Sequence, residues 1–465
     1  MSEKNNTCAE QGRSIPSHWQ IKKLGEVFTI ERGGSPRPIE DFITNDENGI
    51  NWIKIGDTKD VVKYIYRTKE KIKPEGAKRS RMVFEDDFLL SNSMSFGRPY
   101  IMKTTGCIHD GWLVIRKNEN LDNNYLFYIL SSNLLFQQFS NLAKGSTVKN
   151  LNIEAVKQAI IQYPPLPEQQ LIVSRIEELL SDLENGKQQL LTAQQQLKVY
   201  RQSLLKWAFE GKLTENWRKQ QPKLLSGEQI LKQIKRERSD LGKLNKITIK
   251  PIQDISAEEI NELPKLPKEI IWTRLGELIW SVKDGPHYSP KYQDKGIPFI
   301  SGGNIRPNAI DFEKVKYISK ELHEELSKRC KPEKLDLLYT KGGTTGIAKV
   351  NTYDIDFNVW VHVAVLKIVP SINPFYLQHA LNSNHCYKQS QKYTHGVGNQ
   401  DLGLTRMILI TLPICSIEEQ DQIVKELESK LTVCDKIEET ISQSLLQAES
   451  LRQSILKKAF EGKLV

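Results

Sequence analysis

The clearest pattern along the chain is a stripe of apolar residues that recur every seven positions. One seam position is held by Ile176, Leu183, Leu190, Leu197 and Leu204, and the other by Ile172, Leu179, Ala193, Tyr200 and Trp207. Such a repeat is typical of a helix that packs along a second helix. Prolines at 164, 165 and 167 block helix upstream, and Gly211 supplies a stop after Phe209. The pattern predicts a helix of about 40 residues, or ~60 Å at 1.5 Å per residue.

The chain repeats itself at an offset of 251 residues. The segment SLLKWAFEGKL at 203–213 returns as SILKKAFEGKL at 454–464, and residues 168–213 align with 419–464 without a gap, with 18 identities in 46 pairs. The same offset matches Leu24-Gly25-Glu26 with Leu275-Gly276-Glu277. The duplication therefore covers nearly the whole chain, and each half is a variable region followed by a long helix.

The second helix carries a similar but weaker apolar face. Its members are Ile423, Leu427, Ile437, Ile441, Leu451 and Ile455, interrupted by Lys430, Cys434, Ser444 and Lys458. Two such stripes most simply bury each other. If the halves are related by an approximate twofold axis, the helices run antiparallel and carry the variable regions to opposite ends. That is the geometry of a protein that contacts two separate sites.

The regions outside the long helices mix β-type and helical patterns. The strand candidates are 51–55, 112–116, 297–301 and 359–368, and the helix candidates are 124–141 and 374–389. Ser226 and Gln229 form a capping box for a short helix to about Asp240, followed by a linker from Leu241 to Pro267. The basic residues of this segment, Lys232, Lys235, Arg236 and Arg238, either contact phosphate or form a solvated helix face.

These patterns predict an α+β protein with internal duplication and pseudo-twofold symmetry, in which two antiparallel coiled-coil helices separate two globular domains. We divide the chain into a first globular domain (1–163), a spacer helix (164–213), a linker with a short helix (214–265), a second globular domain (266–412) and a second spacer helix (413–465).

Charge, cysteine spacing and hydropathy exclude only a few classes of function. The 66 Lys and Arg against 57 Asp and Glu give a formal charge of +9, which favours a polyanionic partner. The six cysteines never approach CxxC spacing, so neither a zinc ribbon nor a redox pair is indicated, and a reducing compartment fits best. No apolar run is long enough for a membrane span, and the amino terminus lacks the apolar stretch of a signal peptide. We expect a cytoplasmic protein with no membrane partner.

Polar and basic residues collect between glycines in several loops, where backbone and side chains would approach phosphates and base edges closely. The alternative for each loop is an ordinary turn. Two of these loops, Asp87 to Gly97 and Asp336 to Gly346, have equal length, so the duplication reaches them. The candidate DNA contacts are Arg32, Ser35, Arg37, Ser91, Asn92, Ser93 and Arg98 in the first domain, and Lys283, His287, Asn304, Lys341, Thr344, Asn399 and Gln400 in the second.

Catalytic motifs are missing from the sequence. A DNA methyltransferase needs a glycine-rich AdoMet loop and an Asn- or Asp-Pro-Pro-aromatic pocket, and Tyr163-Pro164-Pro165-Leu166 begins and ends with the wrong residues. There is no GxxxxGK[ST] phosphate loop. The two Glu-Gly-Lys segments at 210–212 and 461–463 resemble the tail of a nuclease motif, but helix termination explains them better. The histidines have no zinc-ligand spacing. We predict no active site, metal or cofactor in this chain.

The residues resemble the specificity subunits of type I restriction-modification enzymes over essentially the whole chain. Pro164 to Gln170 before the long helix resembles the start of that family's central conserved region, and Ala-Phe-Glu-Gly-Lys-Leu at 208–213 and 459–464 resembles its helix end. Asp284 to His287, Gly296 to Ile300 and Asn304-Ile305 resemble a common recognition-domain pattern. The second helix start departs from the family, because Ile414 to Gln420 has lost the proline-rich entry.

The resemblance implies two target-recognition domains, each reading one half of a split site on double-stranded DNA, and two modification subunits docked along the helices. The partner subunits would carry AdoMet and base methylation, and restriction/translocase subunits using ATP and Mg²⁺ would join for cleavage. The candidate docking residues are Arg201, Lys206, Phe209, Arg452, Lys457 and Phe460. Two other hypotheses stay open: a structural scaffold whose globular ends bind peptide or glycan, and a self-sufficient modification enzyme, which the missing methyltransferase motifs disfavour.

Overall fold

The computed structural model describes residues 15–92, 96–117, 120–143, 151–396 and 400–465. The chain divides into two compact units, residues 1–191 with 441–465 (unit 1) and residues 192–440 (unit 2). Each unit therefore combines one globular domain with the beginning of one long helix and the end of the other.

The first half of the chain supplies most of unit 1. Its strands are β1 (Gln20–Lys23), β2 (Phe28–Arg32), β3 (Ile43–Thr44), β4 (Ile50–Ile53), β5 (Tyr64–Ile65), β6 (Glu70–Ile72), β7 (Arg81–Val83), β8 (Phe88–Ser91), β9 (Pro99–Met102), β10 (Gly106–Ile108), β11 (Trp112–Lys117) and β12 (Ile160–Tyr163). Its helices are α1 (Leu24–Val27), α2 (Pro74–Ala77), α3 (Asn123–Leu130), α4 (Asn133–Leu142), α5 (Ile153–Gln158) and the long α6 (Leu166–Phe209).

Two mixed sheets and a strand pair make up the first domain. The sheets have the orders β3-β6-β4-β10-β7 and β2-β11-β8-β9-β5, and β1 pairs with β12 in antiparallel register. Strands β8 and β11 are almost entirely buried. The largest core of unit 1 also contains Ile172 and Ile176 from the start of α6, together with Leu456 and Phe460 from the end of the chain. Helix segments 280 residues apart in sequence thus close one core.

The second half follows the same plan. The segment after α6 contains α7 (Glu215–Lys219), α8 (Gly227–Leu244) and α9 (Ala257–Glu262). The strands that follow are β13 (Ile271–Arg274), β14 (Ile279–Asp284), β15 (Ile297–Ile300), β16 (Lys316–Ile318), β17 (Leu337–Thr340), β18 (Ala348–Val350), β19 (Asn358–Val359), β20 (Val363–Ile368) and β21 (Thr411–Ile414). The helices are α10 (Lys320–Ser327), α11 (Pro374–Leu381), α12 (Asn384–Tyr393), α13 (Leu404–Met407) and the long α14 (Ile417–Phe460).

The sheets of the second domain repeat those of the first with fewer strands. Antiparallel β13 and β21 correspond to β1 and β12, the sheet β14-β20-β17-β18 corresponds to β2-β11-β8-β9, and β16-β15-β19 corresponds to β6-β4-β10. The helix caps repeat as well, since Asp122 and Asn373 cap α3 and α11, and Ser132 and Ser383 cap α4 and α12. All of these caps are 251 residues apart, as the sequence repeat predicts.

Both long helices contain 44 residues and begin and end at positions related by the same offset. Pro167 does not block α6, because a proline in the first turn needs no intrahelical partner. In unit 2, Arg201 bonds Asp435 and Glu438, while Thr214, just beyond α6, bonds Glu419 near the start of α14. The two helices therefore run antiparallel there.

Several element predictions are confirmed and others need correction. Ser226 and Gln229 form the predicted capping box of α8, which ends four residues later than predicted. The predicted helices 124–141 and 374–389 are each broken in two by a serine N-cap. The predicted strand 359–368 is two strands in different sheets. The segment 241–267, predicted as a linker, contains the short helix α9, which buries none of its residues.

The predicted helical seam is only partly buried. Ile176, Leu197 and Leu204 are buried, but Tyr200 and Trp207, predicted at the second seam position, are 43% and 42% exposed. Ile437 and Leu451 in the second helix are also exposed. The seam prediction was wrong for these four residues, because the heptad pattern does not show how far the partner helix reaches around each turn.

Candidate nucleic-acid interface

In unit 1, three loops meet around Asp110, in the turn between β10 and β11. The Ser35 hydroxyl donates to the Asp110 carboxylate at 2.9 Å, while the Arg32 guanidinium and the Asn92 amide donate to its backbone oxygen at 3.0 and 2.9 Å. Gly33 is required at this junction, because a Cβ there would lie 2.2 Å from the carbonyl oxygen of His109. The site thus fixes the backbone of Asp110 with a basic and an amide side chain and leaves its carboxylate half-exposed.

In unit 2, the corresponding loops meet around Lys341, at the end of β17. The Lys341 ammonium donates to the Asp401 carboxylate at 2.6 Å and lies 3.5 Å from the Asp284 carboxylate. The other oxygen of Asp284 accepts from Arg329 at 2.9 Å. A Cβ on Gly342 would lie 2.0 Å from a ring nitrogen of His362, so this loop also requires a glycine.

Four backbone contacts show that Asn92 and Lys341 occupy the same position in the two domains. The backbone N–H of Asn92 donates to the carbonyl oxygen of Gly111, and the backbone carbonyl of Asn92 accepts from the N–H of Leu151. In the same way, the backbone N–H of Lys341 donates to the carbonyl oxygen of His362, and its backbone carbonyl accepts from the N–H of Leu402. The turns that follow also match: Gly97 bonds the carbonyl of Ser91, Gly346 bonds the carbonyl of Thr340, and both glycines have positive φ. The duplicated backbone thus carries an asparagine in the first domain and a lysine in the second at the same position.

Burial and charge set the protonation of the groups at these loops. Burial lowers the pKa of the His109 imidazole. It also lowers the pKa of His362, and the Lys341 ammonium adds to that effect. Burial alone would raise the pKa of the Asp110 carboxyl, but the Ser35 hydroxyl and His109 hold it below its ordinary value. Near neutral pH the first cluster therefore combines a neutral His109 imidazole with an ionised Asp110 carboxylate, and the His362 imidazole of the second cluster is neutral as well.

The structure exposes some predicted DNA contacts and buries others. The exposed side chains are Arg32, Arg37, Arg98, Lys283, His287, Thr344 and Gln400, and Ser35 is half-buried. The buried ones are Ser91, Asn92, Asn304 and Lys341. Ser93 and Asn399 lie outside the described residues.

Burial corrects the expected roles of two of these residues. The Asn304 amide bonds Ser301, Asp311 and Lys314 within its own loop, so it is not directed at an adenine edge. Lys341 is only 3% exposed and serves ion pairs rather than an open surface. Sequence reasoning missed Asp110 and Asp401, and it included Asp284 only in the family resemblance, because a carboxylate in a basic loop gives no signal until its partners are known.

The candidate docking residues also divide by burial. Lys206 and Lys457 are exposed, and Arg201 forms ion pairs with Asp435 and Glu438. Phe209 and Phe460 are buried, and their rings pack edge-on against Tyr376 and Tyr125. These two phenylalanines are thus core residues of their own units, which corrects their assignment to a docking surface.

The described part of the chain shows neither a metal site nor a membrane span. No three His, Cys, Asp or Glu side chains gather closely enough there to hold an ion. Every helix that the structure describes is too short or too polar to cross a bilayer.

Two known solved structures share this fold. One chain, from a structure on complex assembly and conformational transition of the type I R-M system, has a TM-score of 0.65 at 18% identity, covering 97% of this chain and 99% of that one. The HsdS subunit from Thermoanaerobacter tengcongensis has a TM-score of 0.55 at 18% identity, covering 97% and 98%. These likenesses support the same arrangement of elements.

The sequence comparisons identify the family. The EcoBI specificity subunit of Escherichia coli is 25% identical over 456 residues, covering 97% of this chain and 87% of that protein. The EcoKI specificity subunit of Escherichia coli strain K12 is 23% identical over 481 residues, covering 97% and 90%. The family model of the type I restriction modification DNA specificity domain matches residues 16–193 and again residues 270–447. Since these two matches cover more than half of the chain, it belongs to the family of type I restriction-modification specificity subunits.

Proposed function

We propose that this specificity subunit reads a two-part sequence on double-stranded DNA, with one globular domain on each half-site, and that it carries no catalysis of its own. Two modification subunits would dock along the helices, and restriction/translocase subunits would complete the complex. AdoMet, and the ATP and Mg²⁺ used for cleavage, would be bound by these partners.

One observation carries the proposal. The two domains hold the same glycine-containing loop with matching backbone hydrogen bonds at Asn92 and Lys341, yet the exposed side chains of these loops differ, with Arg98 in the first domain and Thr344 in the second. A scaffold that binds one kind of peptide twice has no need for two different sets of polar groups. A reader of two different half-sites does, because base edges differ in their donors and acceptors.

The proposal is tested with the full chain, alone and with its modification subunit added. Binding selection from random duplexes should return two short fixed sequences separated by a gap of constant length. Labelled AdoMet and that DNA should give methylation only when the modification subunit is present. Label transfer by the isolated chain would contradict the non-catalytic assignment, and binding that ignores sequence would favour the scaffold.

We further propose that the paired helices set the gap between the half-sites. Each helix is continuous over 44 residues, so the distance between its two ends is fixed. Inserting one heptad after Gln194 and one after Leu445 keeps both seams in register and adds ~10 Å of rise. At 3.4 Å per base pair, ~10 Å corresponds to about three base pairs. The half-site sequences should persist while the preferred gap lengthens, and an active variant that retains the original gap would show that the helices do not set it.

A further inference from the structure

The second domain contains a buried charge network whose members come from separate loops. Lys341, at the end of β17, is 3% exposed, and its ammonium lies between Asp401 at 2.6 Å and Asp284 at 3.5 Å. Asp284, at the end of β14, is also buried and bonds Arg329 at 2.9 Å. A buried ammonium is costly unless it is paired and hydrogen-bonded, and the two carboxylates offset the cost of burying Lys341.

Asp401 is the carboxylate of this network that faces outward. Its side chain is 42% exposed, whereas the side chains of Lys341 and Asp284 are 4% and 5% exposed. Arg329, on the far side of Asp284, is also exposed, at 58%. Its backbone is fixed by two hydrogen bonds with His395 and by one from Arg406. The carboxylate therefore stands at the surface in a defined position, with a buried cation directly behind it.

A carboxylate in this place has a restricted choice of ligand on DNA. It accepts hydrogen bonds and donates none, and phosphate oxygens offer it only repulsion. Donors exposed in the major groove are the exocyclic amines, cytosine N4 and adenine N6. The ammonium of Lys341 compensates the negative charge, which reduces the repulsion between Asp401 and the neighbouring phosphates.

We propose that the Asp401 carboxylate, positioned by the buried Lys341 ammonium, reads the exocyclic amino group of a cytosine or adenine in the second half-site. Lys341 is then a positioning residue that does not touch DNA. The inference rests on the proposed function, since it assigns one base contact to a domain that reads DNA. The first domain has Asn92 at the equivalent position, so the same contact is not expected there.

The test is a binding selection on the full chain with its modification subunits, in which both half-sites are randomised. Asp401→Asn should lose or change the preferred base at one position of the second half-site, with discrimination there falling roughly 5- to 150-fold. The first half-site should be unchanged. Asp354→Asn is the matched control, because it removes another ion-paired carboxylate of the same domain, one that bonds exposed Lys334, and it should alter neither half-site.

Lys341→Met tests the positioning role separately. It should relax the same base position as Asp401→Asn and leave the salt dependence of binding unchanged. A salt slope that falls by about one would mean that Lys341 contacts a phosphate, which overturns the positioning role. If Asp401→Asn alters binding to all sequences equally, the carboxylate acts only through its long-range electrostatic effect on DNA, and the base contact is refuted. If the parental chain itself selects no split sequence, the proposed function fails instead, so the two failures are distinguishable.

Discussion

Replacing Phe460 with alanine should unfold the first domain selectively, although this residue lies 298 positions beyond Gln162, its hydrogen-bond partner in that domain. Phe460 is 1% exposed, its ring packs edge-on against Tyr125 at 5.4 Å, and its backbone oxygen accepts from Gln162. Removing a buried phenylalanine ring costs about 3 to 5 kcal/mol, of which an aromatic pair of this kind accounts for ~0.5 to 1.5 kcal/mol. At ~1.4 kcal/mol per tenfold, the open population of unit 1 should rise roughly 10²- to 10⁴-fold.

Backbone hydrogen exchange measures this effect region by region. In Phe460→Ala, amides of β12 and α3 should exchange faster while β21 and α11 keep their protection. Phe209→Ala is the mirror experiment, because Phe209 packs against Tyr376 at 5.3 Å, and it should expose β21 and α11 instead. Lys457→Ala, at an exposed position of the same helix as Phe460, is the neutral control. Equal acceleration in both units, or a similar effect from Lys457→Ala, would refute the assignment of each helix end to one core.

Three further changes test the packing elsewhere. Arg218→Met should cost about 3 to 5 kcal/mol in thermal unfolding, because it leaves the fully buried Glu419 carboxylate without its 2.6 Å ion pair, and adding Glu419→Gln should recover part of the loss. Gly186→Ala should stabilise the chain by about 0.5 to 1 kcal/mol in denaturant unfolding, since a Cβ there meets no atom within 4 Å. Burial, with a contribution from Lys349, lowers the pKa of His379 to about 4, so the unfolded state binds more protons between pH 6.5 and pH 4. Stability should therefore fall by about 3 kcal/mol as the pH drops through that window, and His379→Gln should flatten the profile.

The periodic and repeated features were predictable from sequence. A seven-residue stripe and an ungapped repeat gave the long helices to within a few residues of Leu166–Phe209 and Ile417–Phe460. The breaks within the shorter helices were not predicted, because Ser132 and Ser383 follow apolar residues at continuous helical spacing. Only the hydrogen bonds that these hydroxyl oxygens accept from the backbone N–H groups three residues ahead show that a new helix begins there.

The site was predictable as a set of loops but not as a set of side chains. Glycines with basic neighbours correctly located the turns that contain Gly97 and Gly346. Which side chains face outward depended on long-range pairs such as Lys341 with Asp401, 60 residues apart in sequence. An ion pair between residues so far apart in the sequence produces no periodic pattern. A buried lysine and a surface lysine therefore look alike in the sequence.

Each globular domain contacts the end of one long helix. These two contacts show that the duplication keeps the backbone geometry while the side chains around it differ. Gly462, at the end of α14, lies against Pro16, and Gly211, at the end of α6, lies against Pro267. Beside these contacts, the first turn of each long helix carries the same glutamate with different partners. Glu168 accepts from Trp19 and bonds His18, whereas Glu419 accepts from Arg218 and Thr214.

In both halves the glutamate lies where the helix dipole favours a negative charge, and each half supplies its own donors to satisfy it. The backbone geometry of these contacts is therefore kept while the groups that bond it differ, as they do at Asn92 and Lys341 in the loops. Because the backbone positions stay fixed while the polar side chains on them change, the two domains can present different donors and acceptors without a change of fold. For a protein proposed to read two different half-sites, that independence is the physical property that duplication provides.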